Sequence, residues 1–104
     1  MKFGLRDKTI KKINSVFAEF NQIDEVIVYG SRAKGNYRNG SDIDLTIKGE
    51  KLNLHFLNQI SLKIDDLLLP YIFDLSIFRQ ISNQDLIEHI ERVGQTFYKR
   101  ANPA

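Results

Sequence analysis

Apolar side chains recur every three or four residues near the start of the chain. This helical period predicts a helix from Asp7 to Asn21, with Asp7 as its N-cap. We expect the apolar face of this helix to pack on a sheet. The residues that form the face are Ile10, Ile13, Val16, Phe17 and Phe20.

Two short segments that follow have the composition of strands. Val26 to Tyr29 is β-branched and aromatic and ends at a glycine, which predicts a strand buried on both faces. Ser41 to Lys48 alternates between apolar and polar positions, which predicts a strand with one apolar and one acidic face. The apolar positions are Ile43, Leu45 and Ile47, and the polar positions are Asp42, Asp44 and Thr46.

The second half of the chain continues to alternate between helix and strand. Helically spaced apolar positions from Leu52 to Leu69 predict a long helix that ends before Pro70. Tyr71 to Phe78 is rich in aromatic and β-branched residues, which predicts a third strand. Its only charged residue is Asp74.

One more helix and an edge strand are expected near the end of the sequence. Ser82, followed three residues later by Asp85, predicts a capping box that starts this helix, and Gly94 is expected to stop it. Gln95 to Tyr98 predicts a short edge strand. Lys99 to Ala104 is expected to be a flexible tail.

This order of elements predicts an α/β (α+β) fold in a single domain, residues 1–104. The expected architecture is a small mixed β-sheet with helices packed on one face. The other face would then remain available for chemistry. It is the face that carries Asp42 and Asp44.

Composition narrows the class of protein. The chain has 104 residues, no cysteine and a formal net charge of +2, with its basic residues spread among acidic ones. Disulfides and thiolate metal sites are therefore excluded, and direct binding to duplex nucleic acid is not expected. No stretch is apolar over the length of a membrane span, and the first residues do not form a signal peptide, so we expect a cytoplasmic protein with no membrane contact.

The acidic positions suggest a metal site. Residues i and i+2 of a strand share one face, so Asp42 and Asp44 can turn towards one ion. Asp74 can reach the same place if its strand lies beside theirs. Carboxylate oxygens without nearby histidine or cysteine favour Mg²⁺, or Mn²⁺, and such ions often bind substrate phosphates as well. Asp74 could also act as the base that takes the proton of an acceptor hydroxyl. We expect neither His55 nor His89 to be a ligand.

A glycine and a serine precede these acids at a turn. Gly30 permits a close approach of backbone to phosphate, and Ser31 with the amides after it can donate to an anion. Arg32 and Lys34 are further candidates for phosphate contacts. Tyr37 and Tyr71 are expected to be packing residues. Each feature alone has a plainer explanation, an ordinary turn or a solvent-facing strand, and it is their combination in this order that predicts a nucleotide site.

The spacing resembles a known signature. Gly30-Ser31 after an apolar residue, ten further residues and then Asp42-Ile43-Asp44-Leu45 are similar to the pattern of the DNA polymerase β-like nucleotidyltransferase superfamily. The fuller string Gly-Ser-Arg-Ala-Lys-Gly resembles its minimal nucleotidyltransferase (MNT) branch. The resemblance implies a polymerase β-like fold. The metal and catalytic triad that it implies consists of Asp42, Asp44 and Asp74, with Gly30 and Ser31 as the phosphate turn.

The resemblance also implies a partner. Minimal nucleotidyltransferases commonly pair with a small all-helical HEPN protein as the antitoxin of a toxin–antitoxin system. Some of them transfer AMP from ATP to a tyrosine of that partner in a magnesium-dependent reaction. A hetero-oligomer with the partner is therefore expected, and the acceptor would arrive on that partner.

Three alternatives remain open on the sequence. The chain could be a binding module that neutralises its partner by occlusion, with nucleotide tuning the affinity. It could be a nucleotidyltransferase for a small-molecule acceptor, completed by oligomerisation. The acidic pair could also be the metal-binding motif of a glycosyltransferase, which leaves the Gly-Ser turn unexplained.

Overall fold

The computed structural model describes residues 1–101, which form a four-stranded mixed sheet with four helices. Within these residues no helix is both long and apolar enough to cross a bilayer. The elements in chain order are α1 (Asp7–Ala18), β1 (Glu25–Tyr29), α2 (Ser31–Lys34), β2 (Ile43–Lys48), α3 (Leu54–Asp65), β3 (Phe73–Ile77), a 3-10 turn (Phe78–Gln80), α4 (Gln84–Val93) and β4 (Gln95–Lys99).

The strands lie in the order β3-β2-β1-β4. β1 pairs antiparallel with both β2 and β4, whereas β2 and β3 are parallel. The parallel pair needs a long crossover, and α3 provides it. The predicted fold class, a small mixed sheet with helices, is confirmed.

The main core lies between one face of the sheet and the helices α1 and α3. Strand residues with even numbers in β1 and odd numbers in β2 point into it, as the alternation predicts. Ile13 and Phe17 of α1 and Ile60 and Ile64 of α3 cover them and are nearly inaccessible to solvent. The strand residues in this core include Val26, Val28, Ile43, Leu45 and Ile47.

Helix α4 packs on the opposite face of the sheet, so the prediction that helices cover only one face is wrong for this helix. Ile27 and Tyr29 of β1 form a second apolar cluster with Ile90 of α4. A strand that is apolar on both sides needs a cover on both sides, and β2 and β3 do not share this property. The second face is therefore closed over β1, while its acidic part lies over β2 and β3.

The caps differ from the predicted ones. Asp7 is the first residue of α1 and not its N-cap, which is Arg6 with no side-chain hydrogen bond. An acidic residue in the first turn still stabilises the helix through its dipole. Asn83, not Ser82, caps α4, because its Oδ1 accepts from the Leu86 N–H at 3.2 Å.

The helices are shorter than the apolar stripes suggested, and the last strand is longer. α1 ends at Ala18 and α3 covers Leu54–Asp65, because the flanking apolar residues pack as loops. Lys99, where the flexible tail was expected to begin, is the last residue of β4, and the next residue, Arg100, donates from its backbone N–H to the Asp24 carbonyl. Residues 102–104 of that expected tail lie outside the described residues.

Candidate active site

Three polar residues form a row across the face of the sheet that carries the acids. Tyr29 of β1 lies opposite Asp44 of β2, and Asp44 lies beside Asp74 of β3. Directly paired residues on neighbouring strands have their side chains on the same face. The strand register therefore brings Asp44 and Asp74 together, as the sequence predicted, and Asp42 lies two residues before Asp44, just ahead of β2.

The next row of the same face is polar but uncharged. Thr46 lies beside Ser76, and the Ser76 hydroxyl donates to the Thr46 Oγ1 at 2.9 Å. Thr46 is fully buried, so this hydrogen bond satisfies a hydroxyl that has no access to water. The row fixes β2 and β3 to each other immediately beside the acids.

The carboxylate of Asp44 is in an unfavourable electrostatic position. Burial raises its pKa above the ordinary value, and the negative charges of Asp74 and Asp42 raise it further, while His89 opposes them. Tyr29 responds to the same charges, since burial first and then Asp74 and Asp44 raise the pKa of its hydroxyl. The acids are therefore close enough for their charges to interact.

Asp44→Asn is expected to raise the melting temperature in metal-free buffer at neutral pH. A carboxyl whose folded pKa is raised binds more protons in the native state, so it lowers stability as the pH rises above the unfolded value. The penalty grows as the pH rises from the unfolded pKa through the raised folded pKa. The site is partly exposed and screened, so the expected gain is only about 2–4 °C, measured by calorimetry.

The same experiment tests the metal site without measuring activity. Magnesium should raise the melting temperature of the wild type more than that of Asp44→Asn, because the ion offsets the repulsion that the variant has lost. Glu50→Gln, the same chemical change in an exposed loop, is the control. Equal magnesium effects in all three proteins would contradict a site at Asp44.

Gly30 joins β1 to α2 in a conformation that only glycine adopts readily. Its φ is 73° and its ψ is −153°. A Cβ atom built on Gly30 would overlap the Asp44 Oδ2, so the backbone of the turn lies directly against the carboxylate. This contact brings the predicted phosphate turn and the predicted metal ligands together in one site.

Ser31 is the first residue of α2 and is half-buried. The Lys34 N–H donates to the Gly30 carbonyl, which closes the first turn of the helix. By helix geometry the amides of residues 31–33 then have no acceptor within the helix. Free amides of this kind can donate to an anion, and the turn that carries them lies against Asp44.

Sequence reasoning missed His89 as a residue of this site. The Gly30 N–H donates to its Nε2 at 3.1 Å, although the two residues are far apart in the sequence. The signal was its position three residues after Leu86 and next to Ile90, at the border of the buried stripe of α4. A residue at this border of α4 lies over the end of β1, where the chain turns at Gly30.

Arg32 does not face a phosphate site, so its predicted contact with phosphate is not supported by the geometry. Its side chain is only 3% exposed. Nε and Nη2 donate to the Ser41 carbonyl at 3.1 and 2.8 Å, and Nη1 donates to the Phe3 carbonyl at 2.8 Å. The guanidinium therefore holds the segment just before Asp42, and the Arg32 backbone continues directly from Ser31.

Aromatic rings complete the environment of this guanidinium. The rings of Tyr37 and Tyr71 lie 5.4 and 5.2 Å from its Cζ, in cation–π contact. Both tyrosines thus have the packing role that their positions suggested. Lys34, in contrast, is exposed on the last turn of α2, and its contact with phosphate stays a prediction.

Arg32→Lys is expected to reduce the free energy of unfolding by about 2–4 kcal/mol, because an ammonium cannot replace three guanidinium hydrogen bonds. Urea denaturation measures the loss. Arg38→Lys is the matched control, since Arg38 is exposed and its side chain makes no hydrogen bond among residues 1–101. Equal stability of the two variants would contradict the role assigned to Arg32.

The three acids suit a hard divalent cation by donor type and by position. Asp44 and Asp74 lie side by side on adjacent strands that are about 4.8 Å apart, Asp42 lies just ahead of β2, and the charges of Asp74 and Asp42 act on Asp44. As the side chains stand, no group of three or more histidine, cysteine, aspartate or glutamate side chains in residues 1–101 is arranged to hold a metal. Carboxylate side chains can rotate towards a common ion, and their oxygens are the ligands that a hard cation prefers, so binding by Asp42, Asp44 and Asp74 stays a prediction.

Comparison with known proteins gives a consistent result for the family. A family model described as polymerase beta, nucleotidyltransferase, matches residues 11–103. No curated protein sequence matched the chain.

Several solved structures share the fold. A toxin–antitoxin complex with AMP-PNP aligns with a TM-score of 0.71 and 19% identity over 88% of this chain and 73% of that one. A complex of a tri-AMPylated Shewanella oneidensis HEPN toxin with an MNT antitoxin aligns with a TM-score of 0.67 and 16% identity over 92% and 74%. The toxin–antitoxin pair MntA-HepT gives 0.67 and 16% over 91% and 74%. At these sequence identities the similarity shows a shared fold and no more.

Proposed function

We propose, because this chain belongs to the polymerase beta nucleotidyltransferase family, that it transfers AMP from ATP to a tyrosine hydroxyl of a HEPN-type partner protein and so acts as an antitoxin. The observation that carries the proposal is the contact between the Gly30 turn and Asp44, in register with Asp74. This contact supports the proposal, because the turn and two carboxylates then lie close enough to act on one bound nucleotide.

The nucleotide side of the reaction is supplied by the turn and β2. Ser31 and the amides that follow it would donate to the oxygens of the triphosphate, with exposed Lys34 as a further cation. Asp42 and Asp44 would lie on the other side of the phosphates. Held between the amide donors and the carboxylates, the triphosphate would be oriented so that the acceptor attacks the α-phosphorus in line with the leaving pyrophosphate.

Asp42, Asp44 and Asp74 would hold magnesium, which when bound stabilises the charge on the phosphates and makes the acceptor hydroxyl more acidic. Manganese is the second candidate, since both ions prefer oxygen ligands. The preference for ATP over other nucleoside triphosphates belongs to the same proposal.

Asp74 would be the base that takes the proton. It is exposed at the end of the row, where an acceptor can approach from outside the sheet. Its carboxylate would take the proton of the tyrosine hydroxyl as the new oxygen–phosphorus bond forms. The bond between the α-phosphorus and the bridging oxygen breaks, and pyrophosphate leaves with its electron pair.

Two findings support a protein as the acceptor. Asp42 and Asp74 are exposed and Asp44 is half-buried, whereas α4 covers the neighbouring part of this face over β1. The chains of similar fold include an MNT antitoxin found in a complex with an AMPylated HEPN toxin. A surface of this kind can receive a side chain presented by a partner.

Transfer of label from ATP labelled in its α-phosphate tests the proposal. The acceptor in the assay is a HEPN-type protein that forms a complex with this chain, and magnesium is present. Label on a tyrosine of that protein supports the proposal. Complex formation without label supports a binding module that acts by occlusion.

A further inference from the structure

The imidazole of His89 lies against the turn that opens α2. Its Nε2 accepts from the Gly30 N–H at 3.1 Å, and its ring packs edge-on against Tyr29 with the centroids 6.1 Å apart. An imidazole that accepts at Nε2 carries its proton on Nδ1. His89 thus belongs to the site by contact, although it lies on the last helix.

The packing of α4 fixes this contact. Ile90 is buried against Ile27 and Tyr29, and Leu86 and Val93 pack around the same cluster. His89, next to Ile90, is therefore held over the end of β1. Its position follows from the core of this face and does not depend on a flexible loop.

The Gly30 amide needs a partner outside the sheet. The ladder between β1 and β2 ends where Tyr29 lies opposite Asp44, so the next N–H has no strand partner there. A partly buried amide without an acceptor is costly. His89 supplies the acceptor at the point where the backbone takes a conformation reserved for glycine.

We propose that His89 is a positioning residue of the nucleotide site, an inference that rests on the proposed function. By holding the Gly30 amide, His89 keeps the turn in the conformation that places Ser31 for phosphate and leaves space for the Asp44 carboxylate. The triphosphate then meets Ser31 and the amides after it, and not the amide of Gly30, which is already occupied.

Two substitutions separate this role from simple packing. His89→Phe keeps an aromatic ring against Tyr29 and removes the acceptor. His89→Gln offers a side-chain oxygen near the position of Nε2. His55→Phe and His55→Gln make the same changes on the exposed surface of α3 and are the matched controls.

The first readout needs no nucleotide. Amide hydrogen exchange at Gly30, followed by NMR, should be at least about tenfold faster in His89→Phe and close to wild type in His89→Gln, because a hydrogen-bonded amide is protected. The second readout is the Kd of the non-cleavable analogue α,β-methylene-ATP with magnesium. It should rise roughly 3- to 10-fold in His89→Phe and recover in His89→Gln.

Wild-type exchange at Gly30 together with wild-type affinity in His89→Phe would overturn the inference. Faster exchange throughout the core, with a large fall in melting temperature, would also overturn it by showing a merely structural role. If the wild type does not bind the analogue, the proposed function fails, whereas exchange at Gly30 still decides whether His89 holds the turn.

Discussion

Asp74→Asn is expected to lower the rate of AMP transfer by about 100- to 10,000-fold, the range typical for loss of a general base. The amide that replaces the carboxylate has nearly the same shape but cannot take a proton, and it is a weaker ligand for magnesium. Asp74 is exposed, so folding should be almost unaffected. The Gly30 turn and the acids of β2 are unchanged, so nucleotide affinity should stay near the wild-type value.

Three measurements define the outcome for this variant: single-turnover transfer rate, Kd for α,β-methylene-ATP and melting temperature. Asp65→Asn makes the same change on the exposed end of α3 and is the control. A transfer rate within a few-fold of the wild type would remove Asp74 from the mechanism. A parallel loss of nucleotide binding would instead assign it mainly to the ligand set.

Gly30→Ala is expected to destabilise the fold by about 1–3 kcal/mol, the cost of a conformation nearly restricted to glycine. The new Cβ must also displace the Asp44 carboxylate, which it would otherwise overlap. Nucleotide binding and transfer should therefore fall together, since the turn and the carboxylate can no longer lie in contact. Urea denaturation and analogue binding measure the two effects.

Gly35→Ala is the matched control for this substitution. Gly35 also has a positive φ, 86°, but a Cβ on it would meet no atom within 4 Å. Both variants carry a backbone penalty, and only Gly30→Ala disturbs Asp44. If the two variants lost stability and nucleotide affinity equally, the contact between the turn and the carboxylate would have no functional importance.

The sequence predicted the elements of this fold well, because its periods are clear. β2 alternates strictly, Val26 to Tyr29 of β1 are all apolar or aromatic, and the observed register brings Asp44 beside Asp74. The side on which α4 packs was predicted wrongly. Because β1 is apolar on both faces, a helix must pack on each face of the sheet there. The apolar stripe of a helix does not indicate on which face of the sheet the helix will pack.

The side chains around the site were harder to predict than the acids. Aspartates on a strand have directions that alternation fixes, whereas the direction of Arg32 depends on the loop that returns to Ser41. A cation after a Gly-Ser turn suggested a phosphate ligand, and burial between two tyrosine rings made it a structural residue. His89 was discounted because distance along the chain says little about distance in the fold.

Asp44 lies where a negative charge is unfavourable, and a bound charged ligand would explain why an acid stands there. Its carboxylate is partly buried, lies beside two other acids and touches the backbone of Gly30. An asparagine would suit the folded chain better at neutral pH. A carboxyl with a raised pKa that lies against a glycine-only turn is typical of a site arranged for a charged ligand.

The most direct test of nucleotidyl transfer compares the wild type with the double variant Asp42→Ala/Asp44→Ala. Each is mixed with a HEPN-type partner that it binds, magnesium and ATP labelled in its α-phosphate, and complex formation is measured in parallel. We expect both proteins to bind the partner, and only the wild type to label a tyrosine on it. Complex formation by both proteins, without label in either mixture, would contradict the account.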